Sequence, residues 1–202
     1  IACNTATAFG KTAVESLVAK ACPDMEVIGL RDAAAQGALE AFQRRPAMTI
    51  GVLATEGTVA SGAYPKAIQT LAGRMELREE ASVVQQGGYG LAGAVDGAPE
   101  FIARSATNDR ARPDYRGPSL ANRLAPIERR LLPRYQFDFA DHGMLWDGER
   151  QAPTALQINS VENYIAYHVV SLVERVRAMP RAKPLGVVIL GCTHYPFYAE
   201  TI

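Results

Sequence analysis

Apolar runs that end in small polar residues and then give way to helical periodicity most restrict the fold of this chain. Residues 48–54 form a β-rich run, which is followed by a polar loop at residues 55–58 and a helical pattern to about Gly73. Residues 185–190 form a similar run near the carboxyl end. Strand, polar loop and helix, in this order, make the βα unit of a parallel sheet. The sequence therefore predicts an α/β fold.

Two cysteines, Cys3 and Cys192, each follow an apolar stretch and precede small polar residues and a helix-like pattern. A thiol at a helix start faces unpaired backbone N–H groups and the positive end of the helix dipole, and both favour the thiolate. A thiolate can act as a general base near neutral pH, and a thiol opposite it as a general acid. Inversion of a carbon stereocentre requires such a pair.

A single cysteine after a strand is more often a small core residue than a catalyst. Two cysteines in matching contexts, one with a histidine nearby, favour the catalytic interpretation for Cys3 and Cys192. Cys22 has no such context, so we interpret it as an inert residue at a helix end.

Polar residues next to the two cysteines could hold an anionic substrate. Asn4, Thr5 and Thr193 add amide and hydroxyl groups at the predicted helix starts, where backbone N–H groups can bind a carboxylate. His194 could exchange protons with the second thiol or donate a hydrogen bond to an oxyanion. The loop at residues 55–58 is a third candidate anion cradle. None of these loops matches the Gly-x-x-x-x-Gly-Lys-Ser/Thr phosphate motif, so we do not expect nucleotide binding.

Composition narrows the class of protein further. The 202 residues carry 21 basic and 21 acidic side chains, a balance that indicates neither a nucleic-acid-binding nor a membrane-binding surface. No apolar run is long enough to span a bilayer. An odd count of three cysteines argues against a disulfide framework and favours a reducing, cytoplasmic compartment. We expect a small-molecule substrate and no metal; the sequence leaves a homodimer open.

Two parts of the chain are expected to belong to different domains. Residues 1–46 should form part of a first α/β domain, and residues 47–202 a second one with an insertion at about 98–157. The insertion has scattered charge, several prolines and weak periodicity, so we expect it to have some structure of its own or to act as a lid. Because the chain opens on what looks like the end of a strand, we interpret it as a fragment cut at both ends.

Several local patterns predict individual elements. The expected elements are a helix over residues 7–21, a strand at 27–30, a helix over 33–42 capped by Asp32, helices over 61–73 and 118–132, and a long helix after a cap at Asn159 or Ser160. His168 lies on the apolar stripe of the long helix, so we expect a core or interface histidine.

The segments around the two cysteines resemble the signature turns of a known family. Ala2-Cys3-Asn4-Thr5-Ala6 and Gly191-Cys192-Thr193-His194-Tyr195-Pro196 look like the two cysteine turns of glutamate racemases, in the aspartate/glutamate racemase superfamily. Residues 51–64 are similar to that family's middle loop and helix. The resemblance implies a cofactor-free, PLP-independent racemase with two similar parallel-sheet domains and an active site in the cleft between them. It also implies that D-glutamate supplies peptidoglycan synthesis and so supports cell-wall formation and cell shape.

The resemblance also implies roles for particular residues. Cys3 would exchange the Cα proton of D-glutamate and Cys192 that of L-glutamate. The residues on substrate-contact positions would be Asn4, Thr5, Thr58, Thr193 and His194. We add Thr55 as a candidate substrate-binding residue, since it begins the third candidate anion cradle. Asp96 falls where the family has a glutamate that contacts the ammonium group, and its shorter arm favours a second hypothesis, a racemase of another acidic amino acid such as aspartate.

Other functions stay open on the sequence alone. The chain could be an amino-acid-binding or regulatory homologue that keeps the site without turnover. Cys3, Cys192 and His194 could instead serve a thiol-redox or zinc role. The family's amino-terminal Asp-Ser-Gly segment has no counterpart in this sequence, and the insertion is longer than the resemblance predicts.

Overall fold

The computed structural model describes residues 3–77 and 79–202. The strands are β1 (Thr49–Ala54), β2 (Ser82–Gly87), β3 (Met144–Glu149), β4 (Ala152–Ile158) and β5 (Leu185–Gly191). The α-helices are α1 (Asn4–Ala21), α2 (Leu30–Arg44), α3 (Glu56–Ala60), α4 (Ala63–Arg74), α5 (Leu91–Asp96), α6 (Leu132–Tyr135) and α7 (Val161–Arg177). Short 3-10 helices lie at Arg129–Leu131, Ala140–His142 and Tyr195–Tyr198.

Two compact units make up the chain. The first contains the residues up to Gly87 together with Leu172–Phe197, and the second contains Gly88–Ser171 and Tyr198–Ile202. The predicted domain boundary between residues 46 and 47 stays a prediction.

The first unit is built on a parallel sheet with the strand order β2-β1-β5. The central strand β1 is buried along its whole length, as the apolar run from Ile50 to Ala54 predicts. Ala54, the last residue of β1, pairs with Gly87 on one side and with Gly191 on the other. Because parallel strands end at the same edge, the turns after β1 and β5 lie side by side. The α/β fold class is therefore confirmed.

The core of the first unit lies where α2 and α4 pack against β1. Ala35, Leu39 and Phe42 of α2 recur at helical spacing and are buried against this strand. Burial of a side chain of the size of Leu39 or Phe42 contributes about 1.5–3 kcal/mol. Tyr64 and Ile68 of α4 complete the packing. This core holds the start of α4 in place, and with it the side of the candidate site that Tyr64 occupies.

Two local predictions for the first 46 residues are wrong. Residues 27–29 form no strand, and α2 begins at Leu30 with Gly29 as its cap. Asp32 therefore lies inside the first turn, where it accepts hydrogen bonds from Lys11 of α1 at 2.5 Å and from Arg31 at 2.9 Å. Burial raises the pKa of Asp32, but these two bonds outweigh it and leave the pKa below its ordinary value. The ion pair joins α1 to α2, which explains why this carboxylate is not used as a cap.

Within the described residues, no other element buries the apolar stripe of α1. Phe9 is 69% exposed and Leu17 is 67% exposed, although their helical spacing is that of a buried face. Within the described part of residues 1–46 there are helices and no strand, so the parallel sheet expected for a first domain stays a prediction.

The insertion in the second unit has structure of its own. Strands β3 and β4 pair as an antiparallel hairpin, while the helix expected over residues 118–132 is reduced to the 3-10 turn at Arg129–Leu131 and to α6. Asn122 explains part of the difference. Its side-chain amide donates to the carbonyls of Arg116 and Gly117, and its oxygen accepts from the N–H of Leu124. Such side-chain bonds to the backbone favour a turn over a helix.

The long helix α7 begins as predicted. The Ser160 hydroxyl accepts a hydrogen bond from the N–H of Asn163 at 3.1 Å, which is the geometry of a cap. His168, farther along this helix, is fully buried and its Nε2 lies 3.1 Å from the carbonyl oxygen of Tyr89. This confirms that His168 is a core histidine.

Within the described ranges, none of the helices combines the length and the apolar character that crossing a bilayer requires.

Candidate active site

Cys3 is the N-cap of the 18-residue helix α1. Its backbone is extended, its Sγ accepts a hydrogen bond from the N–H of Ala6 at 3.5 Å, and its carbonyl accepts one from the N–H of Thr7 at 2.8 Å. The Cys3 side chain is exposed. The sulfur thus lies where a helix start offers N–H groups to a negative charge. The helix start is as predicted, while the catalytic role of Cys3 stays a prediction.

Cys192 follows the last residue of β5 and is buried. Its Sγ lies 3.5 Å from Nδ1 of His194. The prediction of a helix after this thiol is only partly right, because the chain forms the four-residue 3-10 turn Tyr195–Tyr198 instead of an α-helix. A turn this short has little dipole, whereas the imidazole of His194 is in contact with the thiol and can act on it.

Three threonine hydroxyls meet beside the start of α1. Oγ1 of Thr5 lies 3.0 Å from Oγ1 of Thr55 and 3.0 Å from Oγ1 of Thr58. The hydroxyls of Thr55 and Thr58 are 2.9 Å apart. Each hydroxyl has one proton to donate and can accept two hydrogen bonds. The three groups can therefore satisfy one another in a ring, and any one of them can rotate towards a ligand.

The predicted loop at residues 55–58 is in fact the start of a helix. Thr55 is the N-cap of α3, and its hydroxyl accepts a hydrogen bond from the N–H of Thr58 at 3.3 Å. Because Thr55 follows Ala54 directly and Cys192 follows Gly191, the pairing of Ala54 with Gly191 brings the threonine cluster to the same sheet edge as the second thiol.

Asn4 is buried and is held by a residue that the sequence did not single out. The hydroxyl of Tyr64 donates a hydrogen bond to Oδ1 of Asn4 at 2.7 Å, across 60 positions of the sequence. Burial raises the pKa of Tyr64 to about 12, so this hydroxyl keeps its proton at neutral pH. Tyr64 was part of the segment that resembles the family, but no local pattern predicts its partner.

Tyr195 is a second buried tyrosine close to the thiol of Cys192. It is 1% exposed, and within the described residues its hydroxyl has no hydrogen-bond partner. Burial raises its pKa, and the nearby Cys192 and Glu56 act in the same direction. This hydroxyl is therefore a neutral group at neutral pH.

The first unit contains most of the predicted site residues. They are Cys3, Asn4, Thr5, Thr55, Thr58, Cys192, Thr193 and His194. The structure brings the three threonines together, and it pairs Cys192 with His194. Thr193 is exposed. Asp96 is the last residue of α5 and belongs to the second unit, so its predicted contact with the substrate stays a prediction.

The zinc alternative for Cys3, Cys192 and His194 stays a prediction. Across residues 3–77 and 79–202, no three His, Cys, Asp or Glu side chains cluster in a way that could hold a metal ion. A structural zinc site needs four ligands and a catalytic one needs three.

Comparison with known proteins identifies a solved structure with the same fold and relatives of similar sequence. Glutamate racemase isoform RacE1 from Bacillus anthracis superposes with a TM-score of 0.53 at 20% identity, over 99% of this chain and 46% of that one. The chain thus has the α/β fold of a racemase. A glutamate racemase from Oceanobacillus iheyensis is 36% identical over 203 aligned positions, which cover 100% of this chain and 46% of the relative. The chain is a relative of the glutamate racemases, and the resemblance drawn from its sequence is confirmed.

A second glutamate racemase matches a shorter part of the chain. A glutamate racemase from Listeria monocytogenes is 42% identical over 94 residues, which are 44% of this chain and 32% of the relative. The chain spans about half the length of the first of these curated relatives. No family model matches the chain.

Proposed function

We propose that this protein interconverts L-glutamate and D-glutamate by moving a proton at Cα, without a cofactor. The observation that carries the proposal is the arrangement at the edge of one parallel sheet. There Cys192 follows β5 in contact with His194, and the neighbouring threonine cluster contacts α1, the helix that Cys3 caps. The names of the relatives supply the substrate.

In the proposed reaction the two thiols exchange the proton at Cα. The thiolate of one cysteine takes the Cα proton, which leaves a carbanion, and the thiol of the other cysteine donates a proton to the opposite face. One thiol and one thiolate remain afterwards with their roles exchanged, so atoms and charge balance. In the assignment taken from the resemblance, Cys3 acts on D-glutamate and Cys192 on L-glutamate. His194, at 3.5 Å, would take up and return the proton of Cys192.

The threonine cluster would bind a carboxylate of the substrate. In the ring of Thr5, Thr55 and Thr58 each hydroxyl proton can be used by a neighbour, so at least one must turn away to donate to the ligand. A carboxylate accepts such bonds more strongly than a neutral hydroxyl does, which favours the rotation when substrate binds. Asn4 and Thr193 would add further donors.

The test is exchange of solvent deuterium into Cα of each glutamate enantiomer by the full-length enzyme. We expect exchange by the wild type, and loss of racemisation in Cys3→Ala and in Cys192→Ala. Cys22→Ala is the matched control, because this exposed cysteine lies at the carboxyl end of α1. Absence of exchange in the wild type, or racemisation that survives both substitutions, would contradict the proposal.

Asp96 motivates a second candidate substrate, aspartate. Its side chain is one methylene shorter than the glutamate that the resemblance places there. The discriminating measurement is kcat/KM for glutamate against aspartate, in the wild type and in Asp96→Glu. If the protein is an aspartate racemase, the wild type turns over aspartate faster. A glutamate racemase keeps its preference in both proteins.

A non-catalytic homologue would behave differently from either enzyme. It would bind glutamate in calorimetry and give no deuterium exchange at Cα. If the enzyme assignment holds, the D-glutamate formed would supply peptidoglycan synthesis in the cytoplasm and support cell-wall formation and cell shape. Homodimerisation is a separate prediction, and light scattering of the purified protein tests it.

A further inference from the structure

Tyr64 contacts both of the cysteine turns through their neighbours. It lies in the first turn of α4 and is 1% exposed. Its hydroxyl donates to Oδ1 of Asn4, the residue that follows Cys3. The bond is 2.7 Å long and buried, so water does not compete for it.

The ring of Tyr64 lies against Gly191, the residue before Cys192. A Cβ atom added at Gly191 would lie 2.9 Å from Cε2 of Tyr64 and 2.7 Å from Cβ of Ala54. Both distances are shorter than ordinary carbon contacts, so only glycine permits this approach of the ring to the strand. One side chain thus joins the end of β5 to the start of α1.

We infer that Tyr64 is a positioning residue for the reaction proposed above, and the inference rests on that proposed function. Because its hydroxyl occupies Oδ1, the Asn4 amide is held in one orientation, with Nδ2 left to donate. A donor is what a substrate carboxylate needs. Tyr64 acts through Asn4 on the Cys3 side and through packing at Gly191 on the Cys192 side, and it does not itself exchange a proton.

Tyr64→Phe separates these two effects, since it removes the hydroxyl and keeps the ring. Tyr164→Phe is the matched control, because Tyr164 is also fully buried and its hydroxyl donates to the carbonyl oxygen of Phe101 at 2.9 Å, within the second unit. The measurements are KM and kcat in each direction, and the primary isotope effects with Cα-deuterated D- and L-glutamate.

We expect Tyr64→Phe to raise KM roughly tenfold, the loss of about one buried hydrogen bond. The isotope effect should grow with D-glutamate more than with L-glutamate, because Asn4 adjoins the thiol assigned to the D-enantiomer. Tyr164→Phe should leave these quantities near their wild-type values. Unchanged kinetics in Tyr64→Phe would overturn the inference, and so would equal effects of the two substitutions, which indicate packing alone.

A double-mutant cycle with Asn4→Ala covers the case in which Tyr64→Phe folds poorly. If Tyr64 acts through Asn4, adding Tyr64→Phe to Asn4→Ala changes KM no further, whereas additive losses contradict the inference. Should the wild type show no racemisation, the proposed function fails and glutamate binding becomes the readout. Binding weakened by Tyr64→Phe and not by Tyr164→Phe then supports the role of Tyr64, and equal binding overturns it.

Discussion

Nδ1 of His194 lies 3.5 Å from Sγ of Cys192. Cys192 directly follows β5, and one residue, Thr193, separates it from His194. The contact is made within one turn of chain, so it depends on the conformation of this turn and not on the rest of the sheet. It gives a buried thiol a neighbour that can accept its proton.

We expect His194→Asn to slow alkylation of Cys192 by iodoacetamide at pH 7 about tenfold, because asparagine cannot accept the thiol proton. Racemisation should fall by about 10²-fold, the usual effect of losing an acid–base group. Mass spectrometry of the cysteine peptides measures the alkylation. His142→Asn is the control, since His142 pairs with Asp109 in the second unit. Alkylation of Cys192 at the wild-type rate in His194→Asn would show that the contact has no chemical role.

Thr58→Val tests the hydroxyl cluster. Thr58 is 1% exposed and contacts both Thr5 and Thr55, so the change should cost about 1 kcal/mol of the free energy of unfolding and raise KM for glutamate about tenfold.

The control for the cluster is Thr49→Val. This buried hydroxyl donates to the carbonyl oxygen of Lys183 at 2.9 Å, at the opposite end of β1. Thr49→Val should lower the free energy of unfolding by a similar amount, about 1 kcal/mol, and leave KM for glutamate unchanged. An equal rise in KM for both variants would assign the effect to the fold and not to the cluster. Urea titration and steady-state kinetics give the two quantities.

Gly191→Ala and Gly37→Ala should shift stability in opposite directions. At Gly191 the new methyl group would collide with Ala54 and Tyr64 in the core, so we expect a loss of about 1–3 kcal/mol. At Gly37, inside α2, nothing lies within 4 Å of the new atom, and alanine should gain about 0.5–1 kcal/mol. Urea unfolding measures both. A neutral Gly191→Ala would contradict the close approach of Tyr64.

His168 should make the protein less stable in acid. Burial lowers its pKa from 6.5 to about 4, so between these values the unfolded chain binds a proton that the folded chain does not. Above pH 6.5 His168 is neutral in both the folded and the unfolded chain, so its titration does not change the free energy of unfolding there. The free energy of unfolding falls as the pH drops towards 4, by on the order of 3 kcal/mol in total.

The measurement is urea unfolding between pH 7.5 and pH 4.5. His168→Gln should flatten the profile, because glutamine can still donate to the carbonyl of Tyr89 and does not titrate. His142→Gln, at a partly exposed site, serves for comparison. Parallel profiles for the wild type and His168→Gln would show that His168 is not the source of the acid sensitivity.

The amino-acid sequence alone determined those helices and strands that are specified by residues close together in the chain. The apolar runs of β1 and β5 and the spacing of α7 follow from local patterns, because periodicity records which face of an element is buried. The spacing of α1 also predicted a helix, although its apolar stripe is exposed, and the cap at Ser160 follows from the residue type. The two cysteine turns could also be predicted from the sequence, since each is defined by a few consecutive residues. The local errors arose where a side chain found another partner, as Asp32 did with Lys11 and Asn122 with its own turn.

Only the tertiary structure decided which of these turns meet. The pairing of Ala54 with Gly191 places the turn of Cys192 beside that of Thr55, and Thr5 reaches Thr55 across 50 positions of the sequence. The bond from Tyr64 to Asn4 is likewise non-local. Such contacts depend on strand register and on how helices pack against the sheet, which no short stretch of sequence encodes. The sequence therefore determined the chemistry that the turns can carry, and the register of the sheet decided which groups share a site.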